Sequence, residues 1–324
     1  MRIILVGDVM LGRLVDELLE VVDSSYPWGD LLSLFRCADW KGCNLECVFT
    51  DQTEFYELPP KVFRFKSAVK NIEVLKDAGI RVVSLANNHV LDFGKKALCE
   101  MLDYLDAAGI LHSGAGVNLE ESRLPAIDQI QRLKIGFLAF TDNEPSWEAS
   151  EEAGIHYVPV QLDDPRAQTL FELVKETKTK VDFLIVSAHW GPNWGFEVPT
   201  EHIDFAHKLI EEGADVVFGH SPHVFRAIEI FHHSLILYSC GDFIDDYMVD
   251  PYFRNDWSFV FLLILEGKKL VSLRLFPVVI ANFKAQKARG IEAEEIIERM
   301  ISLCRPFGTK IYWEKGKPYC WVKL

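Results

Sequence analysis

Short apolar runs alternate with amphipathic stretches along the chain. "IILVGDVM" near the start, "RVVSLA" from Arg81, "LKIGFLAF" from Leu133, "VDFLIVSAH" from Val181, "ADVVFGH" from Ala214 and "SLILYSC" from Ser234 are nearly continuous in apolar residues. Such runs predict strands buried on both faces rather than strands with one wet face. Between them, "SAVKNIEVLKDAGI" sets Val69, Ile72, Leu75 and Ala78 at helical spacing, with Gly79 as a stop. "GKKALCEMLDYLDAAG" from Gly94 and "TEHIDFAHKLIEEG" from Thr200 carry the same period. This alternation predicts parallel strands joined by crossover helices, an α/β fold.

The tail has a different rhythm. "SFVFLLILEG" and "KLVSLRLFPVVI" predict a hairpin turning at Glu266-Gly267-Lys268, and "EAEEIIERMISLC" predicts a closing helix. An antiparallel part of this kind is a candidate second sheet. There is no repeat, low-complexity tract or Gly/Ser linker, so residues 1–324 are expected to form one domain.

Composition narrows the class of partner. Of 324 residues, 49 % are hydrophobic and 25 % charged, enough for a large core without disulfides. The formal charge of −14 argues against nucleic acid or an anionic membrane surface as the main partner. An anionic small-molecule or polymer substrate stays open, because a local cation or bound metal reverses the field inside a pocket. Seven scattered cysteines fit free thiols in a reducing compartment. "MRIILVGDVMLGR" lacks the long apolar region of a signal peptide, and no segment approaches the ~20 apolar residues of a membrane span. The expectation is a soluble, cytoplasmic protein with no membrane span.

The chemistry lies where the apolar runs stop. The first run ends on Asp8, and "CNLEC" carries Asn44 and Glu46. "SLANNH" carries Asn87, Asn88 and His89, with Asp92 beyond; "IVSAHWG" ends on His189; "VVFGHSPH" on His220 and His223; "LYSCGDF" on Asp242. Ligands of open α/β sheets bind outside the carboxyl ends of the strands. Singly, each residue also has an ordinary reading: an Asx turn for Asp8, a solvated charge for Glu46, a hydrogen-bonded turn residue for each histidine. Together they suit a divalent metal of the Zn, Mn or Fe type. His112, His156, His202, His207, His232 and His233 lack this placement and read as surface or helix-face residues. There is no G-x-S-x-G elbow, Walker A loop or H-E-x-x-H pair, and Cys99 sits in a helical pattern without an adjacent base.

In this order, "GDVMLGR", "NLE", "FRFKS", "SLANNHVLDFG", "AHWG", "GHSPH" and "CGDF" resemble the CapA family of capsule and poly-γ-glutamate biosynthesis proteins, relatives of the calcineurin-like metallophosphatases. The resemblance implies a four-layer α/β/β/α sandwich with a centre for one or two divalent metals at one edge of its sheets. By position, Asp8 would bind a first metal, Glu46 would stand at the bridging position, and Asn88 would bind a second metal. His189, His220 and His223 would complete the coordination, and His89 would contact the scissile group. Two features depart from the metallophosphatase pattern. Met10 stands where those enzymes carry histidine, and "GHSPH" is one residue longer than Gly-His-x-His. Asp242 stands where the family commonly has asparagine.

The expected activity is metal-dependent hydrolysis of a phosphoester or γ-glutamyl bond. His89 would serve as general acid, titrating near neutrality and oriented by Asp92. Arg13 and Arg64 would hold an anionic substrate, or act as ordinary surface charges. Asn87 is expected to brace the backbone. The alternative is a non-catalytic accessory protein that binds an anionic polymer or a synthase partner.

Overall fold

The computed structural model describes residues 1–52 and 61–324. Among these, the two large sheets have nine and six strands, and two small two-stranded sheets accompany them. The first strand, Arg2–Val9, sits mid-sheet and pairs in parallel with Trp40–Leu45, followed outward by Val82–Ser84 and Leu111–Ser113. In the second sheet the parallel strands are Leu133–Thr141, Phe183–His189, Val216–His220 and Ser234–Leu237.

Alternation of side chains along single strands builds the layers. Ile4 and Val6 point into a core shared with helices Ile72–Ala78 and Gly94–Ala107, through Leu75, Leu98 and Met101. Ile3 and Leu5 point the other way, into a core between the sheets. Phe137 and Ala139 meet them there from the second sheet, while Leu138 and Phe140 face helices Pro165–Lys180 and Thr200–Glu211. A strand buried on both faces needs no polar alternation, which is why the runs in the sequence are continuous. The result is the α/β/β/α sandwich.

The tail departs from expectation. Trp257–Glu266 and Lys269–Ala281 form the predicted hairpin, turning through Gly267 in the left-handed region. They form no separate sheet, because Trp257–Glu266 pairs antiparallel with Arg2–Val9 and extends the first sheet. The second sheet is built earlier in the chain, and its edge hairpin Ile228–Phe231/Ser234–Leu237 turns through His232 and His233, both with positive φ. Helix Pro165–Lys180 has no counterpart among the sequence-based expectations; Asp164 caps it and Pro165 opens it. Helix Gly290–Cys304 closes the fold, with Ile296, Ile297 and Met300 in the core between the sheets. No helix of the described residues is long and apolar enough to cross a membrane.

Both sheets end their parallel strands at the same edge. His189 and His220 are register partners, as are Asp8 and Asp242. Gly7 permits the close approach on that edge: a Cβ there would stand 1.7 Å from the Gly241 carbonyl oxygen.

Candidate metal centre

Asp8 lies at the middle of the edge and is buried. Its Oδ1 accepts from Asn44 Nδ2 at 2.8 Å, and its Oδ2 faces the Ser221 backbone N–H at 3.4 Å. Asn44 Oδ1 in turn accepts from Asn87 Nδ2 at 3.0 Å, and Asn87 also donates to the Leu45 carbonyl and accepts from the His89 N–H. Three amide-bearing links therefore tie the first strand to the loop that carries His89, which is the bracing role expected of Asn87. Burial pushes the Asp8 carboxyl up to about 6, against the opposing pull of His223, Asn44 and Ser221. Burial, reinforced by Asp8, raises Glu46 and Asp242 well above the usual carboxylate range.

The histidines converge on these acids. His189 Nδ1 is 2.8 Å from His220 Nδ1, and His220 Nδ1 is 3.7 Å from Asp8 Oδ1. On the other side of its ring, His189 Nε2 is 3.1 Å from Asn88 Oδ1 and 4.0 Å from Glu46 Oε1. Ser187 Oγ lies 2.7 Å from His220 Nε2. Burial holds His220 down to about 3 and His189 well below the ordinary imidazole value, so both rings are neutral, the form that ligates metal. His223 faces Asp242 Oδ1 at 2.9 Å. The Ser221-Pro222-His223 turn reaches that position with positive φ at Ser221 (107°) and His223 (58°). Backbone held in this region by non-glycine residues clusters at functional sites.

Two compact donor sets result: Asp8, His189 and His220; and Asp8, Glu46, His223 and Asp242. Within each, the ligand atoms lie within 4.8 Å of one another. Donors on opposite sides of one ion at ~2.1 Å each stand ~4.2 Å apart, so each set is near one ion's reach. The chemistry of the donors fits a divalent cation. Glu46 Oε2 and Asp242 Oδ2 are buried without a hydrogen-bond partner among the described residues, a costly state for a carboxylate. The Nδ1 atoms of His189 and His220 face each other, and only one of them can carry the hydrogen in that contact. Asp8 is common to both sets, whereas Glu46, expected at the bridging position, falls in the second only. Met10 supplies no ligand: it is buried in the core, and its Sδ accepts the Gly12 N–H at 3.0 Å.

Beside the donor sets, His89 Nδ1 faces Asp92 Oδ2 at 2.6 Å and the ring stacks on Phe65 at 3.9 Å. Asp92 is fully buried and also accepts from the Phe65 N–H and from Lys61 Nζ, each at 2.7 Å. The expectation of a ring titrating near neutrality is corrected here. Burial lowers His89 to about 4, outweighing Asp92. The neutral ring donates from Nδ1 to Asp92, which leaves Nε2 with its lone pair.

A cavity of about 740 Å³ opens over the dyad and over Asn88 and His223. Arg13 lines it, exposed, with Nε 3.2 Å from Asp246. Arg64 is not among the lining residues; its Nη1 donates to the Asp92 carbonyl at 2.7 Å and so anchors the loop. The cation beside the dyad is Lys61, which sequence reasoning missed. It contacts the Asn88 carbonyl and Asp92 and lies over the Trp147 ring. No motif marks it. Asp245 was also missed; it is buried beside Asp242, with Oδ2 unpartnered among the described residues. The remaining histidines are not all on the surface. His156 is buried with Nδ1 2.9 Å from the Ala139 carbonyl, and His202 is buried against Trp190.

Comparison with known proteins agrees with this architecture. A family model described as bacterial capsule synthesis protein PGA_cap matches residues 2–247. A probable polyglutamine synthesis accessory protein of Mycobacterium tuberculosis is 31 % identical, over 95 % of this chain and 92 % of its own length. The PGA biosynthesis protein CapA of Bacillus subtilis is 27 % identical, over 74 % of this chain and 62 % of its own. Among solved structures, a hypothetical protein from Thermus thermophilus superposes with a TM-score of 0.51 at 15 % identity, covering 87 % of this chain and all of that one. That last likeness is one of fold.

Proposed function

The chain belongs to the PGA_cap family of bacterial capsule synthesis proteins, and from that membership we propose that it is a metal-dependent hydrolase of an anionic substrate, a phosphoester ahead of a γ-glutamyl amide. One observation carries the reading: two donor sets sharing Asp8 stand beside an acid–base dyad, and a single cavity reaches both through His223 and His89. Asp8, Glu46, His189, His220, His223 and Asp242 would hold the cation, with Asn88 as a further oxygen donor. Their mixed nitrogen and carboxylate character suits Mn, Zn or Fe. A divalent cation there would polarise a substrate oxygen and acidify a neighbouring water.

The chain's own groups supply the rest. Lys61 and Arg13 bind and orient the anion. Asp92, held by Lys61 and the Phe65 N–H, fixes the His89 ring with Nε2 free for the substrate. An anionic substrate beside Nε2 raises the affinity of that nitrogen for a proton. The protonated ring then delivers it to the leaving group, and Asp92 stabilises the imidazolium.

A second reading, a non-catalytic accessory protein that binds an anionic polymer or a synthase partner, is favoured by Met10, which removes one nitrogen from the first donor set. The naming of one relative as a polyglutamine synthesis accessory protein links the chain to polymer synthesis under either reading. The two separate by purification without chelators, measurement of bound metal, and a screen of phosphoesters and γ-glutamyl peptides with Mn, Zn and Fe restored. The hydrolase reading expects metal and turnover. His89→Ala should keep the metal and lose turnover by ~10²–10⁴, and His220→Ala should lose metal with an unchanged circular dichroism spectrum. Absence of both metal and turnover would leave the accessory reading.

A further inference from the structure

The cavity over the dyad is polar at its floor and apolar at its rim. Lys61, Arg13, Asn88, His89 and His223 form the floor, and His223 links it to the second donor set. Val62, Phe63, Trp194, Met248 and Val249 line the rim at 88 %, 58 %, 39 %, 89 % and 45 % exposure. Scattered exposed apolar residues are ordinary, but a cluster around one polar floor marks a binding surface.

The placement of Trp194 is a second, independent observation. Its φ of 73° is in the left-handed region, an unusual state for a bulky side chain. Three contacts hold it there. Its N–H donates to the Pro222 carbonyl at 3.1 Å, and buried Arg226 donates from Nε to Gly195 O at 2.8 Å and from Nη2 to Trp194 O at 3.2 Å. The ring therefore stands 5.5 Å from His223, where the donor set meets the cavity. A buried arginine is spent on holding an apolar ring next to the charged floor.

We infer that the substrate of this site is amphipathic: a phosphate-type anion carrying an apolar alkyl or aryl group, the anion on the floor and the apolar group against Phe63, Trp194 and Met248. This rests on the cavity being the substrate site of the proposed hydrolase. A polyanion charged along its whole length covers these side chains poorly, whereas one anionic head with an apolar tail matches both halves.

The test is a series of alkylphosphonates from ethyl to octyl, which resist hydrolysis, bound to the full chain and measured by calorimetry with Mn²⁺ and again with EDTA. Affinity should rise about three- to fourfold per methylene while the tail lies on the rim, in both conditions. Trp194→Ser and Met248→Ser should flatten the slope, whereas Ile291→Ser, exposed but not among the lining residues, should preserve it. Met248 is almost wholly exposed, so its replacement leaves the core intact. A flat series overturns the inference, as does a slope unchanged in both rim variants. A flat series together with binding to phosphatidylglycerol vesicles also overturns it and assigns the rim to a membrane surface. The two proposals fail separately: a steep series without turnover sinks the hydrolase alone, and turnover with a flat series sinks the amphipathic substrate alone.

Discussion

Replacing Asp8 by asparagine should stabilise the metal-free protein while removing its response to metal. In the folded chain burial raises this carboxyl from 3.8 to about 6. A carboxyl raised on folding binds its proton more tightly in the native state. The stability it contributes is therefore complete below the unfolded value and is lost as pH rises through the folded one. A shift of about two units corresponds to ~3 kcal/mol at neutral pH. Glu46 and Asp242 are raised in the same direction, partly by the charge of Asp8, so its neutralisation also relieves them. The amide can keep the bond from Asn44 Nδ2 but not favour the Ser221 N–H, which trims the gain. Urea unfolding with EDTA should show Asp8→Asn more stable than wild type at pH 7 by ~1–3 kcal/mol, with the difference shrinking below pH 6 and vanishing only below the unfolded value of 3.8. With Mn²⁺ at about 100 times its Kd, wild type should gain ~2.7 kcal/mol and the variant much less. A metal-free variant less stable than wild type at pH 7, or a difference that does not change with pH, would refute the argument that this cluster is assembled against its own repulsion for a cation.

Two other perturbations test the surroundings of the site. The charge of Lys61 helps to hold His89 down, so Lys61→Met should raise the His89 value from about 4, visible in an NMR titration of the metal-free protein, and weaken inhibition by inorganic phosphate. An unshifted titration would remove Lys61 from the dyad. Gly7→Ala places a Cβ against the Gly241 carbonyl and must spread the Asp8 and Asp242 strands, costing ~1–3 kcal/mol in urea unfolding together with weakened metal binding. Wild-type stability in that variant would show that the approach is looser than described.

The sequence by itself determined the local features. Buried runs such as "VDFLIVSAH" are strands because both their faces are covered, and the glycine after Ala78 ends its helix in the left-handed region. It also put the metal-capable residues at strand ends, since a polar group within such a run is costly unless it finds a buried partner, as Ser187 does in His220. It could not say where the tail went, because an antiparallel hairpin reads alike whether it founds a sheet or extends one. Pairing with Arg2–Val9 decided that. Nor could it choose among cations. Arg64 sits in a recognisable motif yet braces a carbonyl, while Lys61, in no motif, lies beside His89. The sharing of Asp8 between two donor sets and the low affinity of His89 for protons depend on distance and on exclusion of water. Both are properties of packed neighbours from strands far apart in the chain, so only the tertiary structure decided them.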